Sequence, residues 1–342
     1  MDYLFFFLIP ATIYFSNSFI IKNRYFLNFS GEIHQKILGT KKTPLSGGIF
    51  LILFLSIIFV ERDIMSYVFF SLIFILGLFS DLKILSVPSR RLFYQFILVL
   101  LFVHFLSLNG ISTRILFIDK VLENYYLSVL FSTLCLIILI NGTNFIDGLN
   151  GLVLTYYFIV LVVLYKLNLL IGINFTNFNS IYLCYLLFVI LVFNFFNQLY
   201  LGDSGAYLLG LFIGYLLIEL HKYDPNISPF YIVLLLWYPS FENLFSIIRK
   251  FKLGKSPVSP DSKHFHHLLF YFLKRKLKFN NLSCNNYSSL IINSYNFVIL
   301  LIGSQSIYNT QILVILILIN ILIYTTIYLK LFKFKYKSVN FY

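Results

Sequence analysis

The sequence predicts an all-α integral membrane protein: a single transmembrane domain over residues 1–342 that forms a polytopic bundle of about 11 transmembrane helices. The chain is 59% hydrophobic and 11% charged, with a mean hydropathy of +0.86, whereas roughly a quarter of the residues in soluble domains are charged. Apolar runs near the ~20 residues that cross a bilayer recur from end to end. Their uniform apolar character excludes an outer-membrane barrel, whose strands alternate.

Eleven spans follow these apolar runs in order. Only Met1 and Asp2 precede the first run, without a basic segment or a small-residue cleavage site, so we expect a retained span and not a signal peptide. The predicted spans are about 3–21, 45–60, 64–79, 92–108, 126–142, 151–172, 180–197, 205–220, 229–247, 286–303 and 310–332.

The net charge of +13 follows the predicted topology. Most Lys and Arg residues fall in alternate loops, at 22–44, 80–91, 143–150, 198–204 and 248–285, and in the C-terminal tail. By the positive-inside rule this side is cytoplasmic, with the N-terminus outside and the C-terminus inside. The basic excess is then explained by topology and by membrane lipid headgroups, and not by nucleic acid.

Five polar stretches fall on this same cytoplasmic face, and they hold four carboxylates and half of the six histidines. The topology is derived from the Lys and Arg positions alone, yet it places all five stretches on one face of the membrane. This placement indicates a shared active site. The stretches are KKTPLSGG at 41–48, GLFSDLKILSVPSRR at 77–91, NGTNFIDGLNGL at 141–152, YLGDSGAYLLG at 200–210 and KSPVSPDSKHFHHLLF at 255–270.

The stretch NGTNFIDGLNGL spaces Asn141, Asn144 and Asp147 at i, i+3 and i+6, roughly one face of a helix. One interpretation is an interfacial turn in which asparagines cap helix ends. The other is a functional site, because Asp147 is ionisable, lies at the membrane edge and has no basic neighbour in its own loop.

Three further stretches have structural or functional interpretations. In LGDSG, Asp203 or Ser204 is expected to cap the following helix, while a carboxylate there could also bind Mg²⁺ together with Asp147. For Asp81, the simple structural interpretation is an exposed ion pair with the basic residues of its own loop. In TPLSGG, the glycine pair could turn backbone amides towards an anion.

The histidine stretch contains His264, His266 and His267, which are too crowded to form one helical face. A zinc site lacks an evident fourth ligand, and a solvated loop is the common alternative. We favour a third interpretation, in which Lys255, Lys263 and the histidines donate to phosphates and the histidines also manage protons.

Together these stretches resemble the polyprenyl-phosphate sugar-1-phosphate transferases, the membrane family (glycosyltransferase family 4) that includes MraY and WecA. The matching pieces, KKTPLSGG, SDLKILSVPSRR, NGTNFIDGLNGL, YLGDSG and SPDSKHFHHLL, occur in the family's order. The number of spans, the outside N-terminus and the form SPDSKHFHH favour the WecA-like branch.

The resemblance implies transfer of a sugar-1-phosphate, an N-acetylhexosamine-1-phosphate, from a UDP-sugar to undecaprenyl phosphate. The products would be polyprenyl-diphosphate-sugar and UMP. The cofactor would be Mg²⁺, with Mn²⁺ as an alternative, because metal and cations must offset the repulsion between two anions. The resemblance also implies a location in the bacterial inner membrane, with the active site on the cytoplasmic face. The reaction would be an early step in the synthesis of an envelope polysaccharide such as O-antigen, and the resemblance is compatible with a homodimer.

The resemblance also implies roles for individual residues of this sequence. The predicted catalytic set is Asp81, Asp147, Asp203 and His264, and the predicted metal ligands are Asp203 and Asp147. The predicted substrate-binding residues are Lys42, Asn141, Asn144, Asn150, Asp261, His266 and His267.

Two positions depart from the family pattern. Ser80 stands before Asp81 where the family has a pair of aspartates, and Asn150 replaces a frequent aspartate. Asparagine keeps an acceptor oxygen but loses the charge that favours a metal. A catalytically impaired family member that binds lipid carrier or partners is therefore one alternative. A transporter is the other, although the acidic residues lie at the rim and not near the bilayer midplane.

Overall fold

The computed structural model describes residues 2–25, 27, 43–59, 63–170, 180–254, 256 and 263–337. Over these residues the chain forms fourteen helices and no strand, only one antiparallel bridge between Leu27 and Pro44. The helices are α1 Asp2–Lys22, α2 Gly47–Phe59, α3 Ile64–Asp81, α4 Pro88–Phe105, α5 Leu116–Leu122, α6 Tyr125–Ile146, α7 Leu152–Lys166, α8 Ser180–Phe195, α9 Gly202–Tyr223, α10 Pro229–Leu235, α11 Trp237–Lys252, α12 Phe265–Leu277, α13 Asn281–Gly303 and α14 Thr310–Lys337.

The all-helical prediction is confirmed for the described part of the chain, and each of the eleven predicted spans overlaps one of these helices or, at 229–247, a pair of them. Four described helices, α3, α6, α9 and α14, are long and apolar enough to cross a membrane. The pair α10 and α11, which bends by 77° at Leu236, would make a fifth. Several apolar helices are shorter, so the number of spans stays a prediction.

Helix α9 lies at the centre of the bundle. Nearly all of its residues are buried, and it packs on α2, α3 and α6. Its small residues, among them Gly205, Ala206 and Gly210, let the neighbouring backbones approach closely, which is how helices associate in a membrane where lipid is as apolar as leucine. A Cβ on Gly210, for example, would lie 3.0 Å from Ile140 Cα of α6.

The tightest approach of α3 to α9 is at Gly77. A Cβ on this residue would lie 2.4 Å from Ser204 Cα and 2.7 Å from Ser204 N, which are backbone atoms that cannot rotate away. Glycine at 77 therefore sets the distance between α3 and the first turn of α9. This distance matters because the aspartates of the two helices face each other there.

We expect Gly77→Ala to destabilise the protein by about 1–3 kcal/mol, because the added methyl group overpacks the contact between α3 and α9. The measurement is the midpoint of thermal unfolding of the purified protein in detergent. Leu72→Ala is the control, since Leu72 lies on the exposed face of the same helix. Equal midpoints for Gly77→Ala and Leu72→Ala would contradict the close approach.

Candidate active site

The N-terminus of α9 is capped by a side chain from α3. The amides of Asp203 and Ser204 donate to the two oxygens of Asp81, at 2.8 and 3.0 Å. The first amides of a helix have no acceptor inside the helix, and the positive end of its dipole favours a carboxylate. The prediction that Asp203 or Ser204 caps α9 is thus wrong, because the acceptor is Asp81 and both residues donate to it.

Gly202 makes room for this cap. Its φ of +76° lies in the left-handed region, and a Cβ there would lie 2.8 Å from Asp81 Oδ2. A side chain would thus be strained by the backbone and would displace the carboxylate. The glycine of LGDSG therefore has a definite role in the local geometry.

Asp203 forms a compact cluster with two side chains of the segment 77–91. Arg91 Nη1 lies 2.9 Å from Asp203 Oδ2 and donates to Ser80 Oγ at 2.6 Å, while Ser80 Oγ donates to the same Asp203 oxygen at 2.5 Å. Asp203 Oδ1 accepts no hydrogen bond from the described residues, and the side chain is 19% exposed. One oxygen of this carboxylate is therefore held, and the other is open to a cation.

The glycine pair of TPLSGG does not face an anion. Gly47 N–H donates to the Tyr200 carbonyl at 3.0 Å and Gly48 N–H to the Leu201 carbonyl at 3.2 Å. Tyr200 N–H in turn donates to the Pro44 carbonyl at 2.8 Å. These bonds fix the segment that leads into α9, so the expectation of an anion cradle here is wrong.

Asp147 ends α6 and is half-buried. Burial raises the pKa of the Tyr200 phenol, and a hydrogen bond with the Thr43 side chain lowers it. The negative charge of Asp147 also raises this pKa, so Asp147 lies close enough to Tyr200 to interact electrostatically with it. Since Tyr200 directly precedes the first turn of α9, Asp147 belongs to the same rim of the bundle as Asp203.

The asparagines of NGTNFIDGLNGL differ in their surroundings. Asn141 donates to Gln95 Oε1 at 3.0 Å and to the Ile137 carbonyl at 2.9 Å. Asn150 is buried and donates to Asn197 Oδ1 at 3.4 Å, whereas Asn144 is half-buried on the last turn of α6. Asn141 and Asn150 thus hold neighbouring segments together, and their substrate-binding roles stay predictions.

The turn after Asp147 packs directly on the histidines. A Cβ on Gly148 would lie 2.3 Å from His266 Nε2 and 3.2 Å from a carbon of the His267 ring. The three imidazoles are close, with ring centroids 5.7 Å apart for His264 and His266, 6.2 Å for His264 and His267, and 4.2 Å for His266 and His267. Two stretches far apart in sequence therefore form one site.

The histidines do not lie in an extended loop. His264 precedes the first residue of α12, and His266 and His267 lie in its first turn. The N-terminus of this helix supplies the positive dipole end that suits an anion, which the sequence alone did not indicate. Lys42, Lys255 and Asp261 lie outside the described residues.

Three residues without a predicted role contribute to this part of the site. The buried Glu242 lies 2.9 Å from His264 Nδ1. Arg249 donates to the Lys263 carbonyl at 2.7 Å, which fixes the entry to α12. Lys250 lies with its Nζ 5.5 Å from the centroid of the Phe145 ring. In the sequence, Glu242 falls in the predicted span 229–247 and Arg249 and Lys250 in the following loop, and none of them was assigned to the site.

Comparison with known proteins finds one matching family model. Residues 64–221 match the model of glycosyl transferase family 4. This match, over a little under half of the chain, supports the resemblance to the polyprenyl-phosphate sugar-1-phosphate transferases. The matched region contains Asp81, Asp147 and Asp203, whereas the histidines follow it.

Three relatives of this family are each 28% identical to the chain. The undecaprenyl-phosphate alpha-N-acetylglucosaminyl 1-phosphate transferase of Thermotoga maritima aligns over 67% of the chain and 68% of its own length. The decaprenyl-phosphate N-acetylglucosaminephosphotransferase of Mycolicibacterium smegmatis aligns over 48% and 44%. A probable undecaprenyl-phosphate N-acetylglucosaminyl 1-phosphate transferase of Bacillus subtilis aligns over 59% and 56%. The chain thus spans about half the length of two of them.

We expect Asp81→Ala to lower the stability of the protein by about 1–3 kcal/mol for each amide of α9 that loses its acceptor. Thermal unfolding in detergent measures this loss. Glu123→Ala is the control, because Glu123 is exposed and its side chain makes no hydrogen bond with the described residues. An unfolding midpoint of Asp81→Ala equal to that of the wild type would contradict the capping role.

Proposed function

We propose that this protein transfers an N-acetylhexosamine-1-phosphate from a UDP-sugar to undecaprenyl phosphate, giving polyprenyl-diphosphate-sugar and UMP. The observation that carries the proposal is the packing of the Asp147–Gly148 turn on His266 and His267, beside the aspartate cluster of α9. Carboxylates for a metal and donors for phosphates thereby share one rim. The match to the family model and the names of the three relatives support the same reaction.

In this reaction an oxygen of the carrier phosphate attacks the β-phosphorus of the UDP-sugar. The new P–O bond forms as the bond to the oxygen shared with the α-phosphorus breaks, and UMP leaves with that electron pair. Both substrates are anions, so the site must offset their repulsion and stabilise the charge of the transition state. The chain supplies cations and N–H donors for this purpose.

We propose Asp203 and Asp147 as the residues that hold Mg²⁺. The described residues contain no group of three or more His, Cys, Asp or Glu side chains that could hold a metal. Mg²⁺ nevertheless fits, because it typically takes one or two carboxylates together with water and substrate phosphate oxygens. Asp203 Oδ1 is open for this role, and the bound ion would neutralise phosphate charge.

The other residues of the site would act through charge and orientation. Arg91 holds Asp203 Oδ2, so the Asp203 carboxylate presents Oδ1 in a fixed direction. His264, His266 and His267, at the N-terminus of α12, would donate to the diphosphate. Asp81, which caps α9, would act by placing Asp203.

We also propose the eleven-span topology with this rim in the cytoplasm of a bacterial inner membrane. Basic residues in the last turns of α1 and α11 support it, since cytoplasmic span ends carry an excess of Lys and Arg. A WecA-like specificity, a role in O-antigen or a related polysaccharide and a homodimer belong to the same proposal.

The deciding experiment supplies purified protein with undecaprenyl phosphate and each of a panel of radiolabelled UDP-N-acetylhexosamines. We expect label to enter lipid with Mg²⁺ and not with EDTA. Asp203→Asn should lose roughly 10²-fold or more of the rate, the scale for removing a group that stabilises transition-state charge. Asp224→Asn, at the opposite end of α9, is the matched control. Failure of every donor to label lipid, with folded protein, would favour the impaired enzyme.

We expect Ser80→Asp to lower the Mg²⁺ concentration that gives half-maximal activity, because it places a second carboxylate beside Asp203. The negative charges of two adjacent carboxylates repel each other unless a cation lies between them. Ser80→Asn, which adds a similar volume without charge, is the control. The same Mg²⁺ dependence in both variants would show that the missing aspartate has no part in metal binding.

A further inference from the structure

Glu242 is a fully buried carboxylate beside His264, one member of the histidine cluster. It lies on α11, after the bend at Leu236 and outside the region that matches the family model. A buried carboxylate is costly unless it is hydrogen-bonded. Its environment therefore indicates which groups the protein holds in place with it.

Three donors from two other helices converge on this carboxylate. Oε1 lies 2.9 Å from His264 Nδ1 and accepts the Phe265 amide at 3.1 Å, and Oε2 accepts the Tyr324 hydroxyl of α14. Phe265 is the first residue of α12, so Glu242 caps the helix that carries His266 and His267. One side chain thus joins α11, α12 and α14 at the site.

The geometry also determines what His264 can present to a ligand. An ionised carboxylate only accepts, so the ring must carry a proton on Nδ1 to make the bond with Glu242. The ring is held between Phe145, at 5.4 Å, and the stacked ring of His266, at 5.7 Å. Nε2 makes no hydrogen bond with the described residues, and it is the nitrogen left for a ligand.

We propose that Glu242 is a positioning residue that fixes His264 with Nδ1–H on the carboxylate and Nε2 turned to the diphosphate of the nucleotide sugar. This inference rests on the proposed function. A carboxylate that bonds the far nitrogen of a functional histidine sets its tautomer and orientation in the same way at metal sites. Nε2 is then the ring atom that exchanges a proton with the ligand or, when the ring is protonated, donates to a phosphate oxygen.

Glu242→Gln separates this role from simple packing. Glutamine has nearly the same shape, and its amide oxygen can still accept the Phe265 amide, so the cap of α12 is retained. The same amide oxygen also accepts from His264 Nδ1–H, but without the negative charge of a carboxylate this bond is weaker, so glutamine holds the Nδ1–H tautomer less firmly. Glu219→Gln is the control, because Glu219 lies on α9 and pairs with Lys222 at 3.2 Å, away from the histidines.

The first test is a double-mutant cycle on transfer activity with Glu242→Gln and His264→Gln. We expect Glu242→Gln to lower kcat about 10–100-fold, as for other carboxylates that orient a functional histidine, with KM for the UDP-sugar nearly unchanged. In the His264→Gln background the same change should have little further effect, since a residue that acts through His264 has nothing left to orient. An equal loss of kcat in both backgrounds would overturn the inference.

The second test needs no activity. The ¹⁵N NMR signals of the His264 ring, assigned in the full-length protein by their loss in His264→Gln, report which nitrogen is protonated. We expect a proton on Nδ1 in the wild type and in Glu219→Gln, and a changed tautomer population in Glu242→Gln. Identical signals in all three would overturn the inference. If the wild type transfers no label, the proposed function fails while this measurement still decides the role of Glu242.

Discussion

The first turn of α9 depends on one interaction, the acceptance of two of its backbone amides by Asp81. A helix that runs through the centre of the bundle begins where water is scarce, so its first amides need acceptors from the protein. Asp81 of α3 supplies them. The contact requires α3 to approach closely, which Gly77 allows, and it requires Gly202 to leave room for the carboxylate. Asp203 then projects from a fixed helix end.

The same arrangement concentrates negative charge, and the surrounding residues offset it. Asp81 and Asp203 are neighbours at this helix end, where the dipole of α9 stabilises both. Arg91 pairs with Asp203, and Ser80 donates to it. This helix end therefore balances two carboxylates with one guanidinium and one helix terminus.

The sequence predicted the helices well, because long apolar runs leave few alternatives in a membrane, and it brought Asp147, Asp203 and the histidines to one face from the distribution of Lys and Arg. It could not show that Asp81 caps α9, since the partner amides lie far along the chain. Nor could it show that the TPLSGG amides bond to Tyr200 and Leu201, which is a tertiary contact. Glu242 gave no recognisable pattern because its three partners belong to two other helices.

The contact of Gly148 with His266 and His267 has a consequence for how this protein can vary. Because the turn after Asp147 has no side chain, the imidazole of His266 fills the volume that a methyl group would otherwise take. The two positions thus share one small space, and neither can grow unless the other shrinks. We expect the two positions to change together among functional variants, so that a larger residue at 148 accompanies a smaller one at 266.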